Sequence, residues 1–208
     1  MKFPLLFCFL LLFVSCNDST YNKPVTRSPE KKDTASVPVQ SQNPFSPVDI
    51  SPMDVSYFPV DYPVQKMSKK TITPPVMRVV YSRPHRQGRK IFGALLHYGE
   101  PWRLGANEAS EIELFQTVTI QDKKVAKGRY ILYCIPYQDH WTVIFNNNLY
   151  SWGLKPDTTQ DAYKFDVPVE ATATPIEYFT MVFEKSDDGN TNLLMAWDEV
   201  LVRLPIKI

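Results

Sequence analysis

Apolar side chains recur at every second position in a series of short runs along the second half of the chain, with polar links between them. Residues 76–82, 111–116, 118–121, 129–135, 141–146, 163–169, 176–184, 192–197 and 200–206 each read as a strand. Val, Ile, Tyr, Phe and Thr dominate these runs, and the period is near two. In 129–135, Tyr130, Leu132 and Cys134 fall on one face and Ile131, Tyr133 and Ile135 on the other. A strand apolar on both faces belongs in the middle of a sheet. In 200–206, Val200, Val202, Leu204 and Ile206 alternate with Arg203 and, beyond the run, Lys207, so one face is expected to be wet. The links QDKK, AKG, IPYQDH, SDDGN and the corner at Trp197, Asp198 and Glu199 have turn composition. No stretch has convincing helical periodicity. Strands spaced about ten residues apart predict an all-β domain, an antiparallel two-sheet β-sandwich of about nine strands with one long ordered loop. Ahead of it, MDVSYFPVDYPVQKM reads as an extended arm, confined to a sheet edge by Pro59 and Pro63.

The N-terminus has a different pattern. Lys2 precedes the uninterrupted apolar run 5–14, which is about half the roughly 20 residues that span a bilayer, so residues 1–15 read as a secretion signal. Phe13-Val14-Ser15-Cys16 is similar to a bacterial lipobox, which implies that Cys16 becomes the lipidated N-terminus of the mature chain. Residues 16–52 are poor in large apolar side chains and rich in Pro, Ser, Thr, Asn and Gln, the composition of a disordered tether with a reach of about 30 Å. Residues 53–208 then form a single domain, large enough to bury its own core. The expected location is the bacterial cell envelope, lipid-anchored and on the outer membrane, facing the periplasm or the surface. With Cys8 removed and Cys16 acylated, Cys134 is left without a disulfide partner and reads as a small core residue.

One stretch is not accounted for by strand patterning: residues 81–108, YSRPHRQGRKIFGALLHYGEPWRLGANE. Five Lys or Arg lie within 78–90 with no acid, followed by four Glu against Arg103 alone within 100–113. Pro84, Pro101 and four glycines make it a long loop rich in turns. Loops of this length carry binding or catalytic groups more often than the elements they join. Arg83, Arg89, Trp102, Arg103, Asn107 and Glu108 are the candidate ligand-binding residues: guanidinium forks for a carboxylate or phosphate, an indole wall and two fixed polar groups. The competing expectation is that Arg83, Arg89 and Arg103 pair with Glu108 and Glu111 to hold the loop down, with Trp102 and Phe92 plugging its underside.

Charge and motif content narrow the function. Residues 53–208 hold 18 Lys and Arg and 18 Asp and Glu, a balance that lacks the basic field nucleic-acid binding needs. His85, His97 and His140 have no metal-ligand spacing, no CxxC or HExxH is present, and neither metal nor cofactor is expected. GxSxG is absent and the SxxK match at 28–31 falls within the Pro/Ser-rich tether, so no catalytic residue can be assigned from motifs. Tyr150 and Trp152, in the loop NNNLYSWGLKPD, could stack on sugar rings or cap an end of the sandwich, while Trp141 and Trp197 read as core.

The segments YSRP, GRKIFG, YGEPWRLGANEA and GRYILYCIP, in this order, resemble the bacterial family of unknown function DUF2911 from about Met53 to the C-terminus. The resemblance implies a β-rich domain, often on a secreted or lipid-anchored chain, and implies no reaction. His97 stands where that family usually has Pro, so no mechanism is built on it. Two functions remain as expectations. The first is a binding or interaction domain at the envelope, held to the membrane by the lipid on Cys16, for a small anionic or carbohydrate ligand. The alternative is an envelope hydrolase with Glu108 as acid or base, oriented by Arg103 or Arg83. No protein partner can be named.

Overall fold

The structure, a computed structural model, describes residue 45 and residues 49–70, 73–185 and 190–208. The expected signal segment, Cys16 and most of the expected tether lie outside the described residues, as does most of the expected SDDGN turn. The described chain runs β1 (Met53–Phe58), α1 (Tyr62–Met67), β2 (Met77–Ser82), β3 (Ser110–Leu114), β4 (Val118–Ile120), β5 (Lys123–Val125), β6 (Gly128–Pro136), β7 (His140–Asn146), a 3-10 turn at Thr158–Gln160, β8 (Asp161–Lys185) and β9 (Thr191–Ile206).

The protein is β-rich and antiparallel, as the alternation predicts. Where two facing sheets were expected, hydrogen bonding joins seven strands in one, in the order β1-β2-β3-β6-β7-β8-β9, curled into a half-barrel. The ribbon β4-β5 meets the end of β9 through paired hydrogen bonds between Thr119 and Lys207, each 2.8 Å. The difference from a sandwich lies in two links that do not reverse the chain. Runs 163–169 and 176–184 are parts of the one strand β8, and runs 192–197 and 200–206 are parts of β9. The register of β8 on β9 shifts between Ala171 and Ile176 and again between Ile176 and Thr180, and Asp198 opposite has a φ of 53°. Such irregularities bend a strand without ending it, so pairing continues around the corner.

The arm lies at a sheet edge, as expected, and one strand, β5, was not expected as such. The arm forms β1 at the sheet edge, paired with β2 from Met53 opposite Ser82 to Phe58 opposite Met77. Lys123–Val125, read as part of a turn, pairs with β4 across Gln121 and Asp122, whose φ values of 46° and 62° make the two-residue turn. The expectation of no helix fails at the six-residue α1, where Pro63 sits at a helix start and supplies a helix-compatible φ.

Strand β6 occupies the middle of the sheet with Tyr130 through Cys134 all buried, as its two apolar faces require. Inside the curl, Phe92, Trp102, Trp141, Phe179 and Trp197 form one aromatic cluster with centroid separations from 4.8 to 6.2 Å. The expected core assignment of Trp141 and Trp197 holds, at 0% and 2% exposure. Among the described residues Cys134 is a free, buried cysteine, and burial pushes its thiol well above the usual range.

Candidate functional site

The loop between β2 and β3 is ordered because each of its parts is tied to a different strand. At its start, Phe179 donates its N–H to the Pro84 carbonyl (3.0 Å) and Arg86 donates to the Glu177 carbonyl (2.7 Å), which lays the loop along β8. Next, the Arg86 guanidinium pairs with Asp198 at 2.5 Å, and the other oxygen of that carboxylate accepts from the Ile91 N–H at 3.1 Å. The bend in β9 therefore fastens the loop. Further on, Trp102 and Cys134 exchange backbone hydrogen bonds of 2.7 and 2.8 Å, so the loop extends the sheet beside β6 beyond the end of β3. Finally, Gly105 passes so close to β2 that a Cβ would lie 3.1 Å from the Ser82 carbonyl oxygen; its φ is +157°.

Held in this way, the loop walls a cavity of about 480 Å³. Trp102 and Trp197 contribute to its lining, with Leu95 and Leu96 on one side and Leu154 with Gly153 from the 147–160 loop on another. Polar lining comes from His85, Gln87, Arg89, His97, Glu100 and Arg103. Ile50 and Ser51, just ahead of β1, complete a wall. They are fixed there by Asp49, which accepts from the Ser51 N–H at 2.7 Å and from the Asn107 amide at 2.5 Å. The Pro52 carbonyl accepts from the Arg83 N–H at 3.0 Å. Gly153 is required by close packing: with φ at +81°, a Cβ there would meet the Cβ atoms of both Ala109 and Arg103 at 2.9 Å.

Of the six candidate residues, the structure gathers Arg89, Trp102 and Arg103 on this cavity. Arg83 lies outside the lining and acts as a clamp. Its guanidinium meets Asp54 of β1 at 3.1 Å and the Phe179 carbonyl and Thr180 hydroxyl of β8 at 3.3 Å each. Asn107, in left-handed conformation at φ 59°, holds Asp49 and thus the wall rather than the cavity surface. Glu108 is exposed and is not part of the lining. Trp102 is 7% exposed, with its indole N–H donated to the Gly105 carbonyl at 3.1 Å and its ring stacked on Trp197 at 5.7 Å. It is a buried support more than an open wall, which is the plug expected as the alternative.

The expected pairing of loop arginines with Glu108 and Glu111 does not form. Glu111 pairs with Arg129 across the sheet. Among the described residues Arg78, Arg83, Arg86, Arg129 and Arg203 each face a carboxylate. Arg89 and Arg103 do not: Arg89 donates to the backbone carbonyls of Arg86 (2.9 Å) and His85 (2.5 Å), and Arg103 to that of Trp152 (3.3 Å). Burial in the cavity wall pulls the Arg103 guanidinium below its usual value. Among the described residues of its lining, the cavity thus holds two guanidiniums whose partners are neutral, against the single carboxylate of Glu100.

Reading the sequence missed Ile50, Ser51, Leu154 and Trp197 as lining. They lie far from the loop along the chain, and no local pattern marks them. His85, Leu96, His97 and Glu100 stood within the singled-out stretch, but composition alone did not separate inward from outward positions.

Fold and site together define a β-rich domain whose concave surface is built on an ordered insertion. The chain belongs to the family described as Protein of unknown function (DUF2911), whose model matches residues 63–206. No curated protein and no solved structure matches the chain. Among the described residues no helix is long and apolar enough to cross a membrane.

Proposed function

We propose that the chain is an envelope-anchored binding domain, a bacterial lipoprotein held through Cys16, whose cavity takes a small anionic ligand. The observation that carries this reading is the pair Arg89 and Arg103, which line one cavity with carbonyl partners but no carboxylate. A guanidinium so placed retains the capacity for a charge-assisted, bidentate bond to a carboxylate or phosphate. The apolar lining from Leu96, Leu154 and Trp197 suits an uncharged portion of the same molecule. A carbohydrate draws less support, because Trp102 is occupied on its ring by Trp197 and on its N–H by Gly105. The hydrolase alternative draws none from Glu108, which is exposed and outside the cavity.

The test is a thermal-shift series on the mature chain carrying Cys16→Ser, with phosphates, mono- and dicarboxylates and neutral sugars. A fitting anion at saturation is expected to raise the melting temperature by about 5 °C or more. Arg103→Ala and Arg89→Ala should each remove most of that rise, whereas Glu108→Ala should retain it. Equal shifts from sugars and anions, or an undiminished shift in both arginine variants, would overturn the reading.

A further inference from the structure

Apolar side chains that stand exposed among the described residues line the cavity mouth. Ile50, Leu95 and Leu154 all line the cavity, yet are 69%, 46% and 67% exposed. Trp152, whose carbonyl receives the Arg103 hydrogen bond, is 56% exposed beside them. Isolated exposed apolar residues need no account, but four grouped around one opening mark a contact surface. The chain also enters the domain here. Ile50 is part of the rim, and the preceding residues lead back to Cys16, the expected site of the lipid. Ile50, on the rim, thus lies close to where the expected tether joins the domain.

We infer that the rim docks on the bilayer surface, with Ile50, Leu95, Trp152 and Leu154 entering the interfacial zone and Arg89 and Arg103 receiving the phosphate of an anionic phospholipid headgroup. This rests on the anion-binding reading above and names the ligand as membrane-borne. The composition fits such a face: a Trp and aliphatic side chains around cationic groups, with Lys155 next to Leu154. Glu100 is the acid among the described lining residues. The lipid on Cys16 and the rim would then act as two attachments of one chain, the lipid holding it at the membrane and the rim setting which face meets the headgroups.

The experiment uses the mature chain with Cys16→Ser, so that no lipid is attached, and measures co-sedimentation with vesicles of phosphatidylcholine alone and of equimolar phosphatidylcholine and phosphatidylglycerol. The parent is expected to bind the mixed vesicles, weakly at high salt, and to bind phosphatidylcholine less. Leu154→Glu should weaken binding at least about tenfold, the loss of one inserted leucine. Val64→Glu, at a residue 60% exposed but outside the cavity, should bind as the parent does. Arg103→Gln should diminish the preference for phosphatidylglycerol. Both apolar positions are exposed, so the variants are expected to melt with the parent. Failure to bind either vesicle, or equal binding by Leu154→Glu and parent, would overturn the docking. A thermal shift with inorganic phosphate, lost in Arg103→Gln, that accompanied absent vesicle binding would reject the docking while leaving the anion cavity in place.

Discussion

Tyr133, Asn146 and Asp161 show how a few side chains fix the register of three strands. Tyr133 of β6 and Asn146 of β7 each donate to one oxygen of Asp161 at 2.8 Å, and Lys164 approaches the other at 2.9 Å. Burial pushes the Asp161 carboxyl up, but the bonds from Asn146, Lys164 and Tyr133 outweigh it and hold the group below the usual carboxylate range. The same burial, with the bond to Asp161, pushes the Tyr133 hydroxyl up. A carboxyl depressed on folding stabilises the folded state above its unfolded value, about 3.9, and that contribution is lost as pH falls through the folded value. Asp161→Asn is therefore expected to cost about 2 kcal/mol at pH 7 and to lose that disadvantage progressively below about pH 4. Urea denaturation of parent and variant across pH measures it; a gap independent of pH would show that the carboxyl's charge contributes nothing.

At the scale of elements, the decisive feature is the bend of β9 at Asp198, which serves the strand and the loop at once. Its left-handed backbone turns the chain, while its side chain, 10% exposed, holds Arg86 and the Ile91 N–H. Asp198 is buried and Arg86 half-buried, so removing the carboxylate leaves a partly desolvated charge uncompensated. Asp198→Ala should cost about 3 kcal/mol or more, and Asp198→Asn less, since Asn tolerates the backbone and still accepts from Ile91. Hydrogen exchange at Ile91 reads the local effect and should accelerate strongly in the alanine variant. A protected Ile91 amide in Asp198→Ala would place the fastening of the loop elsewhere.

The same bend explains what the sequence could and could not convey about these elements. Alternation located β2, β3, β6 and β7 to within about two residues, because each has apolar residues facing a core on at least one side. It divided β8 and β9 in two, because large apolar residues lapse over 170–175 and the Trp197-Asp198-Glu199 corner carries turn chemistry, while the pairing that keeps the strand extended comes from residues distant in sequence. β5, Lys-Lys-Val, is too short to show a period. For the site, the loop was recognisable by composition, but Arg83 and Arg103 look alike in sequence. What separates them is Asp54 on β1, which reaches Arg83 and leaves Arg103 to a backbone carbonyl.

For the whole molecule, the central position of β6 makes Cys134 a reporter of global opening. Its neighbours Trp102 and Val143 pair with it from either side, its exposure is 0%, and its thiol is pushed up by burial. Local fraying is not expected to reach it. Its labelling by an aromatic disulfide reagent in native buffer should follow the rate or equilibrium of global unfolding, and Asp198→Ala and Asp161→Asn should speed it in proportion to their loss of stability. Labelling unchanged by either substitution would mean that the thiol is reached through a local opening.

The contribution of residues 50 and 51 to the cavity bears on where a protein like this one is cut for study. The family match begins at residue 63, after both the cavity wall and β1. A fragment trimmed to that limit would lose the edge strand, Asp54 and the partner of Asn107 in one step. A ligand screen on it would interrogate a container open on one flank. A chain that starts ahead of Asp49 keeps the enclosure intact, and the difference in binding between the two would measure how much recognition resides outside the family outline.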